Sequence, residues 1–173
     1  ISFVGNSDTI TTSGALTAGA VNDAIFALVG ADWVTISGFT LQENAGNTTT
    51  TLASNNVTEW GIALLYESPT DGAQHNTISG NTINLFPGYQ NAIGIYSNSS
   101  HTLAAPTTSV FPTAATGFNS DLKVYSNIIL NVAMGVYATT VAGTIGLFQT
   151  GDDIGGTSGA TGNNITYGNN TAF

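Results

Sequence analysis

The chain has 173 residues, of which 6% are charged and 42% hydrophobic, and ten acidic residues against one basic residue give it a formal charge of −9. Roughly a quarter of an average domain is charged, so neutral hydroxyls, amides and paired backbone must keep this surface wet, which favours strands and turns over charged helix faces. A single cation, Lys123, argues against nucleic-acid binding and against an anionic membrane or acidic polysaccharide unless a divalent cation bridges the charges, and the absence of cysteine excludes disulfides and thiol chemistry.

No run of about 18 apolar residues is present, so no membrane-inserted helix is expected. The length fits one domain over 1–173. The chain opens inside the strand-like ISFV and closes on TAF, without a basic leader region, and is read as a segment of a longer protein.

Ile1 to Asn22 reads ISFVGNSDTI followed by a Thr, Gly and Ala-rich stretch, an incomplete first copy of the unit that comes next. Ala24 to Asn44, AIFALVGADWVTISGFTLQEN, holds two apolar runs split by Gly30-Ala31-Asp32 and a second break at Ser37-Gly38. Val34 and Ile36 alternate with polar neighbours, and after the Ser-Gly step Phe39 and Leu41 do so in the opposite phase. A strand that turns a corner around one core produces this pattern. The Thr-rich stretch Ala45 to Thr58 reads as an exposed excursion.

Glu59 to Gln90 repeats the unit as WGIALLYES, a Pro-Thr-Asp-Gly turn and HNTISGNTINLF, in which Thr77 to Gly80 match Thr35 to Gly38 residue for residue. Asn91 to Val132 gives AIGIYSNS and DLKVYSNIILNV, separated by the insertion Ser99 to Ser120, read as an outer loop. The last copy has GVYATT, an extra apolar run at Thr144 to Phe148 and GDDIGGTSGATGNNITYGNN. Anchors at Ile36, Ile78, Val124 and Ile165 stand 42, 46 and 41 residues apart. Repeats of this length with three short strands each predict an all-β stack in which every copy buries its apolar face on its neighbours. Asn81 and Asn127 fall where Phe39 stands and are predicted to form a ladder that satisfies corner amides.

ADWVTISGFTLQEN, NTISGNTIN and DDIGGTSGATGNNITYGNN resemble the repeats of right-handed parallel β-helix proteins, the pectate-lyase-like fold and related bacterial secreted and cell-surface chains. The segment IGGTSGATGNNI is similar to a motif of long bacterial surface proteins. The resemblance implies a right-handed parallel β-helix, a single-stranded solenoid of about five irregular coils with long loop insertions, at an extracellular or cell-surface location. It does not imply one activity, because the same architecture carries lyases, hydrolases, adhesins and inert spacers.

The family's β-elimination needs a base and a positive group at the substrate carboxylate. Lys123 is the sole basic candidate, its alignment partners are Thr35 and Thr77 on an outward row, and the preferred reading of it is an exposed lysine paired locally with Asp121 on the same strand face. Asp152 and Asp153 superficially resemble the aspartates of β-helix hydrolases, without that family's other motifs; their hard oxygens also suit a bound Ca²⁺, with no cofactor required otherwise. Trp33, His75 and Asp121 align in one outward row beside Thr35, Thr77 and Lys123, a set that can stack a sugar face and bond its hydroxyls. A second outward row is expected to hold Leu65, Tyr96 and Tyr137. Sequons at Asn47, Asn56, Asn98 and Asn164 fit surface exposure in a eukaryote.

The reading is a non-catalytic module with a structural or adhesive role and weak carbohydrate binding. Its expected partners are flanking domains or further coils, other copies of itself, or a glycan. The alternative is a polysaccharide lyase or glycoside hydrolase using Asp152 and Asp153 or Lys123.

Overall fold

The structure, a computed structural model, describes residues 1–14, 16, 23–100, 102, 110–140 and 147–168. These are nearly all β, and the chain visits three sheets in turn before returning to the first, one strand further along. The first circuit is β1 (Ser2–Val4), β2 (Thr9–Thr11) and β3 (Ala24–Val29). The second is β4 (Thr35–Ser37), β5 (Thr40–Gln42) and β6 (Trp60–Leu65), and the third β7 (Thr77–Ser79), β8 (Thr82–Asn84) and β9 (Ile93–Asn98). A fourth comprises β10 (Lys123–Tyr125), β11 (Ile128–Val132) and β12 (Met134–Thr139), and β13 (Asp153–Ile154) and β14 (Asn164–Tyr167) begin a fifth. Sheet A runs β1-β4-β7-β10-β13, sheet B runs β2-β5-β8-β11-β14 and sheet C runs β3-β6-β9-β12, with parallel pairing throughout. The unit read from sequence, one short strand for each sheet, is therefore the unit that repeats.

Because strands pair in register, like side chains stack into columns. Phe3, Ile36, Ile78, Val124 and Ile154 form the inner column of sheet A, and Ile10, Leu41, Ile83, Ile129 and Ile165 that of sheet B. Sheet C adds Phe26, Ile62 and Ile95. Ile36, Ile78, Val124, Leu41, Ile83, Ile129, Ile62 and Ile95 are fully buried, so the core is one apolar column set wrapped by three sheets. Gly61, Gly94 and Gly135 let sheet C approach sheet B closely. A Cβ at Gly94 would lie 2.4 Å from the Ile129 side chain and 2.7 Å from the Gly135 carbonyl, and one at Gly61 would lie 2.5 Å from Ile83. Isoleucine branches on sheet B occupy the space that side chains at these three positions would need.

The asparagine ladder forms at the corner between sheets A and B, and it is longer than the sequence reading placed it. Asn81 Oδ1 accepts from the Phe39 amide at 3.1 Å, Asn127 Oδ1 from the Asn81 amide at 3.0 Å and Asn163 Oδ1 from the Asn127 amide at 3.0 Å. Each side-chain amide donates back to a strand carbonyl: Asn81 to Ile36, Asn127 to Ile78 and Asn163 to Val124. At the start of sheet A, Asn76 Oδ1 takes the Val34 amide at 2.8 Å and Asp152 Oδ1 the Leu122 amide at 3.0 Å. Buried turns thereby keep their backbone groups paired.

Three sequence expectations need correction. Val124 pairs with Ile154, 30 residues on, and Ile165 belongs to sheet B opposite Ile129. The last circuit inserts Gly155 to Asn163 at a corner that takes two residues in the three circuits before it, so the NITY pattern belongs to the second strand of that circuit. The excursion Ala45 to Thr58 is not all exposed, since Asn47, Asn55, Val57 and Thr58 are buried. The insertion Ser99 to Ser120 likewise starts and ends inside the fold: Ser99, Ser100, Phe118 and Asn119 are fully buried, and Asn119 Oδ1 accepts the Ala73 amide at 2.9 Å. The apolar run at Thr144 lies mostly outside the described residues, and Phe148 at its end is exposed.

Candidate functional site

Sheet A is reached through a corner at which Trp33, His75, Asp121 and Gly151 all adopt left-handed backbone, with φ of 56°, 55°, 61° and 78°. The amides of Trp33, His75 and Asp121 bond the carbonyls of Gln74, Ser120 and Thr150 in the next circuit at 3.0, 3.0 and 2.8 Å. Gly151 ends the row because Asp121 leans over it: a Cβ there would lie 1.8 Å from Asp121 Oδ1. The left-handed region costs a residue with a Cβ roughly 1–2 kcal/mol, and a bulky aromatic is an unusual occupant. Trp33 nevertheless holds it while 67% exposed.

Side chains on this corner continue the stack. The Trp33 and His75 rings lie 4.1 Å apart and 17° from parallel, and His75 Nδ1 is 3.2 Å from Asp121 Oδ2. Since the two ring-bearing residues are one circuit apart, the ring normals run along the direction of strand stacking. The rings therefore stand edge-on to the sheet, with His75 covering one face of the indole. Along the neighbouring strand row Thr35, Thr77 and Lys123 are register partners, with Asp153 beyond them. Between the two rows runs a groove of about 310 Å³ lined by Trp33, Thr35, His75, Thr77, Asp121 and Lys123. All six belong to the two rows aligned from sequence.

Chemically the groove offers an aromatic face, two hydroxyls, an ammonium, a carboxylate and an imidazole oriented by that carboxylate. Among the described residues the ion-pair geometry is His75–Asp121, so Asp121 faces His75 and not Lys123 as the local-pairing reading had it. Asp121 and Asp153 flank the lone ammonium, which leaves the local field negative for any anionic ligand.

The second expected row is different from its sequence reading. Tyr96 and Tyr137 are register partners, but Ala63 completes the row, and Leu65 pairs with Asn98. An irregularity at Gly61 shifts the phase, so that Trp60 and Ala63 share the outer face. Trp60 stacks on Tyr96 at 4.4 Å and 4°, and Tyr96 on Tyr137 at 5.6 Å and 7°. Tyr96 is 8% exposed with both ring faces covered, and it packs in a second apolar cluster with Trp60, Ala63, Leu65 and Ile93. Only Tyr137, 38% exposed, presents a ring edge and face outward.

Asp152 and Asp153 each serve the fold. Asp152 accepts from the Leu122 amide and from Gln149 Nε2, and burial raises its carboxyl above the usual range. Asp153 accepts from the Tyr125 hydroxyl at 2.9 Å and the Gly156 amide at 3.0 Å, and the first of these bonds pushes the Tyr125 phenol up. All four carboxylate oxygens thus have protein donors, and among the described residues no group of three His, Asp or Glu side chains forms a metal-binding cluster. Of the sequon asparagines named from sequence, two are internal: Asn47 is fully buried against Glu43 and the Ser13 carbonyl, and Asn98 bonds Ser100 while 7% exposed. Asn56 is half-buried and Asn164 is exposed on β14.

A buried acidic cluster was missed from sequence. Glu43, 7% exposed, accepts four donors: Thr12 Oγ1, the Asn44 amide, Asn47 Nδ2 and the Thr58 amide. Glu59, 2% exposed, accepts from Asn55 Nδ2, the Tyr89 hydroxyl at 2.8 Å and the Asp23 amide at 3.2 Å. Burial pushes the Glu59 carboxyl up to about 7 and the Tyr89 phenol up to about 12. The available signal was Glu43 and Glu59 bracketing a polar excursion in a chain with ten acidic residues.

Compared with family models, with curated proteins and with solved structures, the chain matches none. Among the described residues no helix is long and apolar enough to cross a membrane.

Proposed function

We propose that the stacked circuits form a right-handed parallel β-helix, and that the chain is a non-catalytic extracellular or cell-surface module with a structural or adhesive role. Its contact surface is the groove on sheet A, and its ligand is a neutral glycan. The observation that carries this is Trp33: an indole held 67% exposed on left-handed backbone, stacked on His75 at one end of a groove of hydroxyls. The left-handed backbone is common to this corner, but an indole is its least suited occupant, and strain retained at an exposed aromatic points to use. A glycan lying along the groove, with its end against the exposed indole, would bond Thr35, Thr77, Lys123 and His75 through its hydroxyls. The negative surroundings of Lys123 favour a neutral sugar over a uronate.

Binding of the intact protein to a glycan array, compared with Trp33→Ala, tests the reading. A neutral glycan bound by the parent and lost by the variant, with little change in melting temperature, is the expected result; no binding across the array rejects it. The second reading, a carbohydrate-active enzyme, is favoured by the His75–Asp121 pair alone, which orients an imidazole as a general base would be oriented. Release of unsaturated or reducing ends from plant or algal polysaccharides, lost in His75→Ala, would support it over a purely adhesive role.

A further inference from the structure

Asp23 and Glu59 occupy matching positions one circuit apart, immediately before β3 and β6. The Trp60 amide bonds the Asp23 carbonyl at 3.0 Å, and the Ile93 amide bonds the Glu59 carbonyl at 2.7 Å. Glu59 Oε1 receives Asn55 Nδ2 and the Tyr89 hydroxyl, and Oε2 receives the Asp23 backbone amide at 3.2 Å. Asp23 Oδ2, by contrast, is buried with no donor, as is Asn55 Oδ1. Glu43 shows what a satisfied carboxylate looks like in this chain, with four donors on two oxygens. Around Glu59 and Asp23 there are more acceptors than hydrogens.

The titratable groups facing Glu59 are Asp23, at the start of β3, and Tyr89, in the turn between β8 and β9; Glu43, after β5, acts on Asp23. No basic side chain acts on either carboxyl among the described residues. Two adjacent carboxylates without a cation cannot both ionise cheaply away from water, and a proton is the simplest hydrogen to supply the missing donor.

We propose that Glu59 and Asp23 hold one proton between them, carried on the Glu59 carboxyl and donated to Asp23 Oδ2, and that this proton clasps the 45–58 excursion onto sheet C. Loss of the proton to solvent leaves two buried like charges, which separate. The Asn55 contact goes with them. The clasp is closed in mild acid and loosens above neutrality: a carboxyl raised by folding stabilises fully below its ordinary value of 4.5, and that stability is lost as pH rises through about 7. This device is independent of the glycan groove, which lies on a different sheet.

Hydrogen exchange of the intact protein from about pH 4.5 to about pH 8, corrected for the intrinsic rate, tests the proposal, because opening that releases one proton rises about tenfold per pH unit up to the transition near 7 and levels off above it. The expected result is that rise in residues 45–58 of the parent, and a flat profile in Glu59→Gln, whose amide supplies a permanent hydrogen. Asp23→Asn also flattens it, and serves if Glu59→Gln fails to fold. A parent profile without the rise, or a rise retained in a folded variant, overturns the proposal. So does closure at high pH by added Ca²⁺ as complete as closure by acid, since the neutralising partner would then be a metal ion.

Discussion

Replacing Asn127 by alanine removes the middle rung of the corner ladder and should be among the most damaging single changes in the chain. Asn127 is fully buried and makes four side-chain bonds: it accepts from the Asn81 amide at 3.0 Å and Asn81 Nδ2 at 3.1 Å, and donates to the Ile78 carbonyl and Asn163 Oδ1 at 3.0 Å each. Alanine leaves the Asn81 amide inside the corner without a partner, while the Ile78 carbonyl keeps only its bond within the sheet A ladder. Such an orphan costs about 1–3 kcal/mol. The expected loss is therefore roughly 1–3 kcal/mol for the orphaned amide alone, against a typical total stability of about 5–15 kcal/mol. Urea unfolding followed by tryptophan fluorescence measures it, with the midpoint falling at unchanged slope. Asn127→Asp separates hydrogen bonding from size: it keeps the acceptor but turns a buried charge toward the Ile78 carbonyl, and should be at least as unstable as the alanine variant. A loss below about 1 kcal/mol for Asn127→Ala would show that water or backbone relaxation satisfies the corner without the ladder.

Gly94→Ala should destabilise by about 1–3 kcal/mol or more through overpacking against Ile129 and the Gly135 carbonyl, read as a lower melting temperature, and Ile129→Val in the same chain should not restore it, because valine keeps the Cγ2 methyl that stands closest. Tyr96→Ala should cost about 3–5 kcal/mol as a buried ring between two others, whereas the half-exposed Tyr137→Ala should cost much less, a contrast that chemical denaturation resolves. Trp33→Gly exchanges a strained left-handed backbone for a permissive one and loses a stacking contact of about 0.5–1.5 kcal/mol, so stability should stay near that of the parent while glycan binding disappears. The protein should lose at most about 3 kcal/mol of stability between roughly pH 4.5 and pH 8 through Glu59, a loss absent in Glu59→Gln and visible in melting curves.

The groove was legible in the sequence because Thr35 to Gly38 and Thr77 to Gly80 are identical and fix the register of sheet A, and a fixed register fixes every outward neighbour. The same identity placed Asn81 and Asn127 on one corner. Where no such marker exists, the reading slipped. WGIALLY has no internal punctuation apart from Gly61, and the reading set it two residues out of register with the next circuit, which put Leu65 in the place that Ala63 holds. NNITY looked like a sheet A strand because its apolar pattern matches one, while the insertion that displaces it contains only Gly, Thr, Ser, Ala and Asn and carries no phase. Left-handed backbone at Trp33, His75 and Asp121 leaves no compositional trace, since the three residue types share nothing. The clasp at Glu59 depends on side chains 4 and 30 residues away and on a backbone amide 36 residues before it, none of which a local pattern ties together.

The corner ladder has a direction. Each asparagine serves the amide of the circuit before it and asks the circuit after it for the same service, and its predecessor need only offer a backbone N–H. Phe39 shows that the first member may be of any residue type. A chain built this way can be shortened or lengthened by whole turns without rewriting the joints. Deleting residues 77–122 would bring Lys123 in where Thr77 stood and Asn127 in beneath Phe39, with Ile36 against Val124 and Leu41 against Ile129. Length then becomes a property that duplication and loss can tune, while the groove on sheet A is redrawn by which circuits are kept.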